Sequence, residues 1–169
     1  MSRPLRRRVV AFVAACSLVA AGCAGGGDDS GILVDRIDDA IFAVESFYLA
    51  PQDYFEISAT DERVSLIVAV DDATAAEQAF WSVDGGLVEP EAVGPASGAT
   101  FRSSALDFDP GDVLSRVDDE LPDAEIVDFA ITGGPDGSVI YDASVQSEQG
   151  GVLLVRLGPD GQILGVQAR

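Results

Sequence analysis

The chain has 169 residues, of which 29 are acidic and 10 are basic, and its formal net charge is −19 with no histidine. All ten basic residues are arginines, so the sequence lacks the usual side chains for nucleophilic triads, Schiff-base chemistry and mixed N/S zinc sites. The acidic excess also disfavours nucleic-acid binding, which needs cationic side chains to displace counterions.

The N-terminus has the three parts of a secretory signal. Arg3 and Arg6 to Arg8 form a basic start, Val9 to Ala21 form an uncharged run, and small residues lead to Cys23. The run is shorter than the roughly 20 residues that span a bilayer, which disfavours a retained anchor. The alternative interpretation is an ordinary secretory signal that is cleaved after small residues.

The sequence LVAAGC, which ends at Cys23, resembles the lipobox of bacterial lipoproteins, with Ala20 where leucine is usual. The resemblance implies that residues 1–22 are a signal peptide and that Cys23 becomes the lipidated first residue of the mature chain. Acyl chains would then anchor the protein at the outer face of the cell membrane. Residues 23–30 would form the lipidated cysteine and a flexible tether.

Removal of the signal leaves six arginines against 29 acidic residues, a net charge of about −23. This charge indicates either a solvated acidic surface, which we favour, or a cationic partner. Cys16 leaves with the signal and Cys23 is consumed by lipidation, so no disulfide is expected. Stability must therefore come from a hydrophobic core.

The rest of the chain looks duplicated, with one unit at 31–98 and a second at 99–169. Four segments recur in the same order: 35–41 with 115–121, 55–58 with 129–132, 64–70 with 139–145, and 80–85 with 154–161. Each unit reads as a helix followed by antiparallel strands. The pattern predicts an α+β fold in which two α-β-β-β repeats form an antiparallel sheet with helices packed on one face.

Local signals mark the elements of each unit. Apolar residues at helical spacing predict a first helix that ends before Pro51, and Asp109-Pro110 starts a second helix that Pro122 ends. Residues 134–137 and 158–161 predict hairpin turns. Residues 89–99 read as a linker, and residues 101–108 read as a connecting strand.

This order resembles the PepSY-like family of exported bacterial modules and the tandem β-lactamase inhibitor proteins. A D-G-x-[LIV] element carries the likeness at Asp84 to Leu87 and at Asp160 to Ile163. The resemblance implies inhibition or regulation of an exported enzyme through protein–protein contact. Fold likeness does not by itself transfer a function.

We expect no enzymatic activity, because no convergent group of catalytic residues is present. No cofactor is expected. Calcium is the one metal to weigh, because Asp107, Asp109 and Asp112 alternate as in a calcium loop. The pattern then departs from an EF-hand, and a helix N-cap already explains Asp109, Pro110 and Asp112, so we expect no metal.

Two functions remain open at the level of sequence. One is a lipid-anchored binding or regulatory module, for which Trp81 and Tyr54 are candidate partner-binding aromatics on the first unit. The other is a carrier of a lipid or other apolar ligand, which would need a cavity of roughly 300 Å3 or more.

Overall fold

The computed structural model describes residues 31–147 and 150–168, in which nine strands and two short α-helices form. Cys23, the signal and the tether lie outside these ranges. The elements are α1 (Ile37–Tyr48), β1 (Asp53–Ala59), β2 (Val64–Val70), β3 (Ala75–Ser82), β4 (Gly86–Pro95), β5 (Phe101–Arg102), α2 (Pro110–Glu120), β6 (Ala124–Gly133), β7 (Val139–Ser147), β8 (Val152–Leu157) and β9 (Ile163–Ala168). Short 3-10 turns lie at 34–36, 103–105 and 135–137.

One antiparallel sheet runs through both halves of the chain, in the order β4-β3-β2-β1-β6-β7-β8-β9, with β5 pairing with β1. The two halves meet at β1 and β6, where Ile57 lies opposite Ile131. Each half consists of a helix followed by four consecutive antiparallel strands, so the predicted α-β-β-β order, with three strands after each helix, is wrong in the number of strands. The two units therefore share a sheet, while their boundary at residue 98 stays a prediction.

The predicted α+β class is wrong, because the described chain is mostly antiparallel sheet, with helices of only 12 and 11 residues. The largest error concerns the predicted linker at 89–99. Strand β4 occupies most of it and pairs with β3 through two register shifts. Pro90 and Gly94 fit this strand because it lies at the sheet edge, where a missing N–H and bulges are tolerated. The predicted strand at 101–108 is reduced to β5.

Helix α1 forms because Ile37, Ile41 and Val44 fall on one face and are buried together. It ends at Leu49, which adopts the left-handed conformation with φ 58°. Helix α2 begins where the Asp109 carboxylate accepts hydrogen bonds from the N–H groups of Gly111 and Asp112, at 2.9 and 3.2 Å. The capping oxygen satisfies donors that have no partner within the helix.

Both helices pack on the same face of the sheet, which we call the covered face. Its fully buried side chains come from both helices and from the central strands of both halves: Val44, Val113, Val117, Ile57, Leu66, Ile131 and Phe129. Each such side chain contributes about 1.5–3 kcal/mol through burial. Because neighbouring residues of a strand point to opposite sides, the sheet also has a second face, which neither α-helix of residues 31–147 and 150–168 covers; we call it the open face.

The two predicted hairpin turns are confirmed. The N–H of Gly134 donates to the carbonyl of Ser138 at 2.7 Å, and the N–H of Gly158 donates to that of Gln162 at 2.9 Å. No helix among the described residues is long and apolar enough to cross a membrane.

Candidate functional site

The open face presents one continuous row of side chains across both halves of the sheet. Strand register sets the order of the row: Val88, Phe80, Ser65, Ser58, Ala130, Asp142, Arg156 and Gly165. Large apolar residues stand at the β4 end, small residues in the centre, and an ion pair near the β9 end. The face is therefore not evenly charged.

The apolar end of the open face lies on the first half of the sheet. Phe80 and Ile67 are half-buried on neighbouring strands, and Val88 is 56% exposed. The guanidinium of Arg63 lies 4.4 Å from the centre of the Phe80 ring, in cation–π contact. Aromatic and arginine side chains are the types that contribute most at protein interfaces.

The centre of the open face is a shallow floor of small side chains. Ser58, Ser65 and Ala130 sit on adjacent strands, between Phe80 on one side and Asp142 on the other. Desolvation on the sheet raises the pKa of the Glu56 carboxyl above its ordinary value, and the negative charge of Asp128 raises it further. A partner that places a neutral or positively charged group beside Glu56 is therefore favoured over one that places an anion there.

An ion pair stands toward the β9 end of the open face. The Arg156 guanidinium donates two hydrogen bonds to the Asp142 carboxylate, at 3.0 and 3.2 Å. Beside the pair lies a depression of about 240 Å3, which also touches Leu154, Gly165 and Gln167. The depression is open at Gly165, where the row has no side chain.

Of the two predicted partner-binding aromatics, Tyr54 is fully buried on the covered face, so it is unavailable to a partner in this fold. Its ring packs 6.0 Å from that of Phe101. Its hydroxyl has no hydrogen-bond partner among the described residues, and burial together with the Glu45 charge raises its pKa. Trp81 is half-buried and packs against the core, with its backbone opposite Val64.

The neighbour of Trp81, rather than Trp81 itself, stands on the open face. Phe80 and Trp81 are consecutive in β3, so they must point to opposite sides of the sheet. The sequence shows the aromatic pair but does not say which member faces the helices. Sequence reasoning therefore chose the core residue of the pair.

The three aspartates of the calcium hypothesis have other roles or stand exposed. The Asp109 carboxylate caps α2. For Asp107, it is the backbone N–H rather than the carboxylate that donates to the hydroxyl of Tyr141, at 3.1 Å. Asp112 lies exposed in the first turn of α2. Residues 31–147 and 150–168 contain no group of three or more His, Cys, Asp or Glu side chains placed to hold a metal ion.

A small cleft lies between the start of α1 and the segment before α2. It measures about 150 Å3 and is lined by Val34 and Ile37 near α1 and by Leu106 and Phe108 of the segment before α2. Ligand sites for molecules of ordinary drug size start at roughly 300 Å3. The cleft is therefore too small for an apolar ligand of that size.

No family model matches the sequence, and a search of curated proteins finds no match either. Among solved structures, the chain matches a Bacteroides eggerthii protein that is inferred to be periplasmic, at 14% identity and a TM-score of 0.35. The match covers 78% of this chain and 87% of the other. A TM-score of this size transfers no property to this chain.

Proposed function

We propose that this protein is a lipid-anchored binding module of the cell envelope, and that its open face contacts an exported protein. The observation that carries the proposal is a sheet face that no helix of the described residues covers, on which Phe80, Ile67 and Val88 form an apolar group beside small residues. An apolar surface rimmed by polar side chains is typical of interaction sites.

The packing of the other face supports binding at a surface over transport of an apolar ligand. Both helices press fully buried side chains onto the sheet, and the cleft between them holds about 150 Å3. A carrier needs an internal cavity, whereas a protein partner needs an accessible face.

The lipid-anchored location rests on the signal and on Cys23. In Cys23→Ser, we expect loss of metabolic fatty-acid labelling and release of the protein from the membrane fraction. Labelling that survives the substitution would contradict the proposed anchor.

Photo-crosslinking in living cells tests the open face directly. A photoreactive phenylalanine analogue replaces Phe80 in one chain and Phe42 in a matched control; Phe42 is 75% exposed on α1, on the other side of the molecule. We expect a discrete crosslinked protein from the Phe80 position and none, or a much weaker one, from the Phe42 position. Equal adducts at both positions, or an adduct at Phe42 alone, would remove the open face as the binding surface.

A further inference from the structure

The two free edges of the sheet differ in how they are protected against strand pairing. Strand β4, at one edge, contains Pro90 and Pro95, carries Glu89 and Glu91, and is interrupted by two register shifts. Proline, charge and bulges are the devices by which edge strands avoid pairing with other chains. This edge is closed to an added strand.

Strand β9, at the other edge, has one of these devices, a register shift against β8 between Arg156 and Leu157, and lacks the other two. Between Ile163 and Ala168 it contains neither a proline nor a charged residue, and within the described chain only β8 pairs with it. Leu164 is 61% exposed and Val166 is 52% exposed. An exposed apolar edge strand of this kind is a template for pairing with an extended segment.

The charged residues of the chain lie away from this edge, so a strand that pairs with β9 would not have to bury a charged side chain of β9. Residues 31–147 contain 25 acidic residues and four arginines, whereas residues 150–168 contain one aspartate and one arginine. The long-range field of the molecule therefore attracts cations, while the β9 edge itself is almost neutral. The cores of interfaces are likewise depleted of charged residues.

The depression beside Gly165 gives the same edge a place for a side chain. It measures about 240 Å3 and lies on the open face, between the Arg156–Asp142 pair and Gln167. An added strand would direct every second side chain toward the open face. In strand addition, main-chain hydrogen bonds provide affinity and such pockets provide specificity.

We propose that β9 binds an extended, positively charged peptide segment of an exported protein as an additional antiparallel or parallel strand. This inference rests on the proposed function, since it specifies the partner's chemistry and a second contact next to the open face. A second copy of this chain is the disfavoured occupant, because two chains with a net charge of about −23 each would repel one another.

The test uses the full-length chain in detergent micelles and a fluorescent octapeptide of alternating lysine and valine. A matched octapeptide, N-methylated at every backbone nitrogen, keeps the charge but has no backbone N–H with which to form the main-chain ladder. Fluorescence anisotropy measures both affinities, and hydrogen–deuterium exchange locates the contact. We expect the unmodified peptide to bind at least tenfold more tightly and to slow amide exchange at 164–168 but not in β4.

Two variants with the same charge change separate the two edges. Val166→Lys should weaken peptide binding at least tenfold, and Val93→Lys on β4, at a residue that is 61% exposed, should change it less than twofold. Equal binding of the N-methylated peptide, no binding of either peptide, or equal effects of the two variants would overturn the proposal. So would a concentration-dependent dimer that Val166→Lys abolishes, because it would assign the edge to a second copy.

The crosslinking experiment at Phe80 separates this inference from the proposed function. If the Phe80 adduct forms while the peptide results fail, the open face binds a protein and β9 does not. If the peptide results hold while no Phe80 adduct forms, the edge binds an extended segment and the open face is not the contact surface.

Discussion

Gly161 lies where the turn between β8 and β9 touches α2, so replacing it tests how the second half packs. Its φ is +77°, and a Cβ atom added there would lie 2.8 Å from Cα of Val113 and 3.0 Å from the carbonyl oxygen of Asp112. Both contacts are with backbone, which cannot move aside as a flexible side chain can. This glycine belongs to the D-G-x-[LIV] element of the second repeat. Its close packing against α2 explains why that element has a glycine at this position.

Two terms contribute to the cost of Gly161→Ala. The left-handed conformation costs an L-residue about 1–2 kcal/mol, and the overpacking against α2 costs about 1–3 kcal/mol. The free energy of unfolding should therefore fall by roughly 2–5 kcal/mol, and each kcal/mol lowers Tm by about 2–4 °C in a chain of this size. Urea unfolding followed by the fluorescence of Trp81, the single tryptophan, measures the change.

Gly137→Ala is the matched control. Gly137 has φ +74°, but an added Cβ would meet nothing within 4 Å. Only the conformational term applies there, so the expected cost is about 1–2 kcal/mol. Equal costs at Gly161 and Gly137 would refute the close packing of the β8–β9 turn on α2.

Substitutions at three other positions probe the helix cap, the open face and the aromatic core. Asp109→Ala should destabilise the protein by about 1 kcal/mol in thermal unfolding, whereas Asp109→Asn, which retains a capping oxygen, should cost much less; a Tm that rises with added calcium only when Asp109 is present would instead support the metal hypothesis. The pKa of Glu56 is raised in the folded state, so its ionisation destabilises the fold as pH rises above the unfolded value of about 4.3. Glu56→Gln should therefore stabilise the protein at pH 7 and have little effect at pH 4 in urea titrations, and equal effects at both pH values would contradict the assigned shift. Tyr141→Phe should cost about 1 kcal/mol, because the N–H of Asp107 loses its acceptor, and an unchanged urea midpoint would count against that hydrogen bond.

Several features of the fold could be predicted because they depend on local patterns. The helix and the first three strands of each half follow from apolar spacing and from turn residues such as Gly134 and Gly158, which affect only the few residues around them. The start of α2 likewise follows from Asp109 and Pro110. These signals do not depend on what the rest of the chain contributes.

Other features depended on long-range pairing and were missed. The segment at 89–99 looks like a linker because Pro90 and Gly94 are poor strand formers, and it becomes β4 only because β3 supplies a partner along an edge. The same limit applies to the candidate site. The register that places Phe80 on the open face and Tyr54 in the core is set by neighbouring strands and by a bulge in β1 between Tyr54 and Glu56.

The most direct test of the central claim is the affinity of the crosslinked partner for two purified variants. Phe80→Ala removes the largest apolar side chain of the open face, and Phe42→Ala removes an equal side chain from the exposed side of α1. We expect Phe80→Ala to raise Kd at least tenfold, and Phe42→Ala to change Kd less than twofold. A partner that binds Phe80→Ala as tightly as the unmodified chain would contradict binding through the open face.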